Sequence, residues 1–341
     1  MQPPAALARY GRQIEDELQS LLDRADPPEL YRMLRYHLGW EDAQGQPAES
    51  AGKRLRPVLC LLACEAAGGN PQRALPAAVA VELVHNFSLI HDDVQDQDRL
   101  RRGRETVWAV WGQGQAINAG DALLALAHVS LAGLAERGVA PESVIEASRV
   151  LNERTLEMVE GQVMDISFEE RLDVRLDAYL TMISRKTGAL FDASLALGAI
   201  AGGAPAATVA ALGRCGRQLG IAFQVRDDML GVWGAEARTG KPVAADIRRR
   251  KKTLPIVYAF ENAGGDDHGR LETVYRGQEP SADDVSFVLQ LLESLGARAH
   301  CEAEAEAHRR AALAELDAAG VDAVGADEAR EVAEFVLRRD Y

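Results

Sequence analysis

Apolar residues recur at three- and four-residue spacing through 77–94, 122–134, 144–166 and 176–200, and no stretch alternates convincingly between apolar and polar. That period belongs to helices with one buried stripe, so the spacing predicts an all-α protein. The polar or Gly/Pro-rich interruptions at 43–52, 234–242 and 262–284 lack the length and bias of interdomain linkers. A single domain over 1–341 is therefore expected. An aspartate pair occurs twice, at Asp92-Asp93 and Asp227-Asp228, each near the C-terminal end of an apolar helical run. Two such helices facing one another predict a single large helical bundle around a central cavity.

Charge narrows the choice of partner. The 38 basic and 52 acidic residues leave a net charge of −14, which disfavours nucleic acid or an anionic membrane surface but leaves room for a buried cationic pocket. The weakly polar stretch 188–213 contains Asp192 and Pro205 and is rich in Ala and Gly. It reads as packed helices, so no stable membrane insertion is expected. Cys60, Cys64, Cys215 and Cys301 form no CxxC pair and read as buried free thiols of a reducing compartment. Met1-Gln2-Pro3-Pro4 opens no basic-then-apolar leader pattern, and the cytoplasm is the expected location.

The densest chemical signal is His91-Asp92-Asp93-Val94-Gln95-Asp96. Asp92 and Asp96 share a helix face, and two carboxylates so placed repel unless a cation lies between them. Mg²⁺ suits that role because it keeps waters and adds substrate phosphate oxygens to its shell. Asp93 points about 100° away from Asp92 and reads as an orienting group. For the string alone, a solvated helix end is the competing reading. Asp227-Asp228 would be surface decoration in isolation and gains weight from the first motif. His91-Asp92 also suggests an HD-type phosphohydrolase, but no partner set of ligating His and Asp residues is visible.

Cations accompany the carboxylates. Gly52-Lys53-Arg54-Leu55-Arg56-Pro57 precedes a helix, Arg101-Arg102-Gly103 follows the first aspartate motif, and Lys186-Thr187-Gly188, Lys241-Pro242 and Lys251-Lys252-Thr253 continue the pattern. Arg offers a bidentate fork to phosphate and Lys a mobile point charge. Each group alone would be a solvated surface charge, and 248–252 alone would pass for a weak nucleic-acid patch. Together with the carboxylates they imply metal plus polyphosphate.

Taken in order from 52 to 259, these blocks resemble the trans-isoprenyl diphosphate synthases, the polyprenyl synthetase family. The blocks are 52–57, 85–106, 119–121, 161–165, 186–188, 224–230 and 239–255. The resemblance implies an isoprenoid-synthase-like helical fold and a Mg²⁺-dependent prenyltransferase acting on isopentenyl diphosphate and allylic diphosphates. It implies that Asp92, Asp96 and Asp227 hold the metal. Lys53, Arg56, His85 and Arg102 match positions that bind isopentenyl diphosphate, and Arg101, Lys186, Thr187, Gln224, Lys241 and Lys251 match the allylic site. The Lys186 carbonyl, Thr187 hydroxyl and Gln224 amide oxygens would face the allylic cation. One departure stands out: the second motif usually ends in Asp, and here that position is Gly231, which bears on how the metal's waters are held.

Product length, by the same resemblance, is set at Phe87 and Ser88, just before Asp92. Bulky Phe87 with small Ser88 favours geranylgeranyl diphosphate, with farnesyl diphosphate as the alternative and ordinary core packing as the competing reading of Phe87. A class I terpene cyclase would carry Ser or Thr and then Glu at the positions of Gly231 and Ala235. A non-catalytic partner subunit would show a degraded first motif, which here is intact. A homodimer is implied by family analogy.

Overall fold

The computed structural model describes residues 4–23, 26–48, 52, 54–234, 244–277, 279–321 and 323–337. Lys53 and Lys241 lie outside the described residues. The chain divides into two compact units, one comprising Met1–Thr155, Ala193–Gly213 and Leu316–Val332, the other Leu156–Asp192, Arg214–Glu315 and Ala333–Tyr341.

The first unit opens with α1 (Ala5–Leu22), which buries Tyr10, Ile14, Leu18 and Leu22 along one stripe, and α2 (Pro28–Leu38). Helices α3 (Leu55–Ala66) and α4 (Pro71–Gln95) are buried over most of their surface. Helix α4 starts where Asn70 accepts a hydrogen bond from the Gln72 amide and proline occupies the first turn. It is the one described helix long and apolar enough to cross a membrane, yet 78% of that window is buried within the protein. Its apolarity therefore serves packing, chiefly against α6 (Gln113–Ala132).

A short hairpin, β1 (Leu100–Arg101) and β2 (Arg104–Glu105), follows α4 and leads to α5 (Val107–Trp111). The periodicity predicted no strands, and two-residue strands are too short to show alternation. Both loop residues, Arg102 and Gly103, have positive φ, the backbone that a tight two-residue hairpin requires.

Helix α7 (Pro141–Glu169) contributes to both units. In the second unit α8 (Leu176–Ile183) runs into a π-helical turn, Ser184–Gly188, while α9 (Ala189–Gly202) and the long α10 (Ala206–Trp233), like α7, contribute to both units. Tyr179, Met182, Ile221, Val225, Met229 and Leu254 lie in one of this unit's buried apolar clusters. All four cysteines are free and buried.

One ionic cluster inside the first unit is worth testing. Arg54, at the N-cap of α3 with φ 49°, is 6% exposed. Its Nη1 donates to Glu82 Oε1 at 2.8 Å and its Nε to Glu15 Oε2 at 3.1 Å. Arg54 is thus a structural cation. Glu82→Ala removes one of the two carboxylates that satisfy the buried guanidinium and is expected to lower stability by about 1.5–3 kcal/mol in urea unfolding. A change within the error of the parent's midpoint would show that Glu15 alone satisfies Arg54.

Candidate active site

The first acidic motif ends α4. Gln95 is its last residue and Asp96 caps it, with the Asp96 amide donating to the Asp92 carbonyl at 2.8 Å. Asp92 and Asp96 are half-buried, one turn apart, whereas Asp93 is 2% exposed. Asp93 Oδ1 accepts from Arg101 Nε at 2.7 Å. Burial pushes the Asp93 carboxyl up to about 6, with the Arg101 guanidinium opposing that rise. Asp93 therefore ties the hairpin to the helix and holds the Arg101 side chain in place.

The hairpin is strapped down elsewhere too. Thr106 Oγ1 and Trp108 Nε1 each donate to the Asp98 carbonyl at 2.8 Å. Arg104 Nη2 donates to the carbonyls of Tyr36 and Glu41. Arg102, at the positive-φ turn, follows directly on the anchored Arg101.

His85 lies amid these cations. Its imidazole is driven well below its usual range by burial first, then by Arg56, Arg102, Arg101 and His37. Four residues assigned by sequence to diphosphate binding, Arg56, His85, Arg101 and Arg102, are thus brought together in one unit. His37 joins them without any motif to announce it. It shares a cavity of about 50 Å³ with Asn86, Asp93, Arg101 and Arg102, and burial lowers its pKa to about 3, with Arg101 and Arg102 adding to the effect. Three guanidinium groups beside two neutral imidazoles make a cationic patch suited to a polyanion. Phe87 is buried, and Ser88 Oγ donates to the His85 carbonyl at 2.8 Å.

The second unit repeats the arrangement of the acidic pair. Asp227 is exposed, while Asp228 is 3% exposed. Asp228 accepts from Tyr179 OH at 2.5 Å, the Leu254 amide at 3.0 Å and Gln224 Nε2 at 3.0 Å. Burial nonetheless raises its pKa to about 7 against all three donors. Gln224 Oε1 in turn accepts from Thr187 Oγ1 at 2.8 Å. Thr187 and Lys186 sit on the π turn, and Lys186 Nζ pairs with Asp165 Oδ2 of α7 at 2.5 Å. The backbones come close there, because a Cβ on Gly161 would lie 2.7 Å from Lys186 Cα. Lys251 is exposed.

The missing third aspartate of the second motif has a physical counterpart. A Cβ on Gly231 would fall within the Asp246 carboxylate, 2.5 Å from its Cγ, so the bare position is covered by an acid from a separate short helix, Ala245–Arg248. Tyr179 and Asp246 escaped sequence reasoning because each acts through a contact distant in sequence. A larger recess of about 520 Å³, lined by Glu157, Glu160, Arg185 and Arg217 among others, contains none of the assigned residues.

Residues 41–292 match the polyprenyl synthetase family. The chain belongs to that family. It is 42% identical over 332 residues to the (2E,6E)-farnesyl diphosphate synthase of Mycobacterium tuberculosis, covering 96% of this chain and 90% of the relative. The geranylgeranyl diphosphate synthase of the same organism is 42% identical over 313 residues, covering 91% and 87%. The crystal structure of polyprenyl synthetase from Streptomyces coelicolor A3(2) superposes with a TM-score of 0.90 at 39% identity, covering 98% of this chain and 100% of that one. The all-α reading holds for this polyprenyl synthetase, with the hairpin as its addition.

His37 gives the site a measurable acid response. Its folded pKa of about 3 lies below the ordinary 6.5, so the unfolded chain binds its proton more readily. This contribution is intact above about pH 6.5 and is lost as pH falls through the window toward about 3. In that window His37→Gln should show a shallower loss of unfolding free energy than the parent, by at most about 1.4 kcal/mol per pH unit. Identical slopes in denaturant titrations at stepped pH would assign the acid sensitivity to other groups.

Proposed function

We propose that this short-chain prenyltransferase condenses isopentenyl diphosphate with allylic diphosphates, using Mg²⁺, and stops chiefly at geranylgeranyl diphosphate. The observation that carries the reading is the division of labour within each aspartate pair. One acid is the more exposed and would serve as a ligand, and the next is buried as the anchor of groups that would meet the diphosphate.

The donor set fits Mg²⁺. Among the described residues no cluster of three or more His, Cys, Asp or Glu ligands occurs, but this ion binds through one or two carboxylates together with waters and substrate phosphates. Asp92 and Asp96 would hold such an ion in the first unit, and Asp227 would be a ligand in the second. When bound, the metal would offset negative charge on the diphosphate as the allylic carbon–oxygen bond breaks.

The chain's own residues do the rest. Arg101, fixed by Asp93, presents its free edge to phosphate without first having to be ordered. Lys186 is a mobile cation kept close by Asp165. Thr187 gives its proton to Gln224, so the lone pairs of its hydroxyl remain available to a developing cation. The Lys186 carbonyl, on the π turn, would supply a further oxygen to that cation. Arg56, His85 and Arg102 would hold isopentenyl diphosphate, with Lys53 completing the set and Lys241 and Lys251 assisting at the allylic side. No side-chain base is required if the departing diphosphate takes the proton.

Phe87 and Ser88 favour the geranylgeranyl product. The equal identity to a farnesyl synthase keeps farnesyl diphosphate as the second reading. Exposed Ile117 and Val129 on α6, and Ile145, Leu156 and Val163 on α7, support a homodimer. The four buried free thiols support a cytoplasmic setting.

Purified protein incubated with Mg²⁺, labelled isopentenyl diphosphate and each allylic starter should yield, after dephosphorylation, a prenyl alcohol series ending at geranylgeraniol. Asp92→Asn should lower turnover by about two to three orders of magnitude. A series ending at farnesol would select the second reading. No elongation from any starter, in folded metal-replete protein, would move the assignment to a cyclase or a partner subunit.

A further inference from the structure

Helices α4 and α6 meet at a glycine. A Cβ on Gly120 would overlap Nε2 and Cδ2 of His91 and lie 3.3 Å from its Cε1, so the imidazole occupies the place a side chain at 120 would take. The same ring lies 3.3 Å through Nε2 from the Ile117 carbonyl oxygen and 3.6 Å from Asp121 Oδ1, both on α6. Its other side stands edge-on to Phe87, with centroids 4.8 Å apart and planes at 71°. Phe87 and His91 are one helical turn apart on the same face of α4, and Phe87 is 8% exposed.

A phenylalanine has few rotamers on a helix, and the neighbour one turn on decides which of them packs. Here that neighbour is itself immobilised by α6. We propose that His91, seated on the bare Cα of Gly120, is the positioning residue that fixes Phe87 and thereby sets product length. The inference rests on the reading of Phe87 as the length-determining residue. His91 touches neither metal nor substrate in this role, although Asp92 is its neighbour in sequence. The relevant readout is therefore the ratio of products and not the rate.

The test compares product distributions from Phe87→Ala, His91→Ala, His91→Phe and Gly120→Ala, with thermal melts to confirm folding. His91→Ala removes the brace, and Gly120→Ala evicts the ring from the opposite helix, so either variant decides the matter if the other fails to fold. Each should raise the ratio of the next longer product to the parental one by about two- to tenfold, the range one aromatic contact controls. His91→Phe keeps a ring in place and should retain the parental ratio. If Phe87→Ala lengthens the product while His91→Ala and Gly120→Ala keep the parental ratio, the brace is overturned and Phe87 stands. If Phe87→Ala itself leaves the ratio unchanged, Phe87 and its brace fall together.

Discussion

A carboxylate taken out of water must find donors or take up a proton, and both aspartate pairs place their second member under that constraint. Asp93 answers it with Arg101, and Asp228 with Tyr179, Gln224 and the Leu254 amide. The consequences run outward from each anchor. Arg101 cannot leave Asp93 without exposing a buried charge, so the hairpin that carries Arg101 and Arg102 is held to the end of α4. Gln224 is committed to Asp228 through its amide nitrogen, which leaves its oxygen to receive Thr187. Preorganisation of the proposed site thus derives from two groups that need never touch substrate.

The π turn is the second place where local regularity yields to chemistry. A wider turn weakens the helix and persists only where packing sustains it. Here Gly161 lets the α7 backbone lie against Lys186, and the Lys186 ammonium reaches Asp165 one turn further along α7. An ammonium paired so closely gains a new anion only by exchanging partners. Lys186 therefore suits a diphosphate that must be bound and later released. Arg101, pinned through Nε, suits permanent orientation.

Much of this was legible in the residue order. Helical periodicity predicted the all-α class, and the roughly 100° offset of Asp93 from Asp92 marked it as an orienting group, the role its bond to Arg101 gives it. The hairpin was not legible, because two-residue strands carry no period. His37, Tyr179 and Asp246 were missed for a different reason. Tyr179 and Asp246 owe their places to Asp228 and Gly231, and His37 shares a cavity with Arg101; single-sequence pattern holds no record of such neighbours. Gly231 is the instructive case. By sequence it is a lost ligand position, but in three dimensions it is the space that admits the carboxylate of Asp246.

Helix α4 explains how several functions share one element without interfering. At about 100° per residue, Ser88 and Asp96 fall within roughly 40° of Asp92, on one face of the helix. Glu82, Asn86 and Asp93 lie about 80–120° to one side, all buried. That stripe carries the Arg54 pair, the Asn86 bond to the Glu82 carbonyl and the Arg101 anchor. Phe87 and His91 lie on the order of 100–140° to the other side, against α6. A stripe of buried polar groups is normally a liability in a core helix, since each demands a partner. Here every member is paired within the first unit. The helix can therefore be buried almost all round and still end in two half-buried acids. The carboxylates that anchor the cations and the Phe87–His91 pair thus lie on different flanks of one rod, which allows one flank to vary while the other is held.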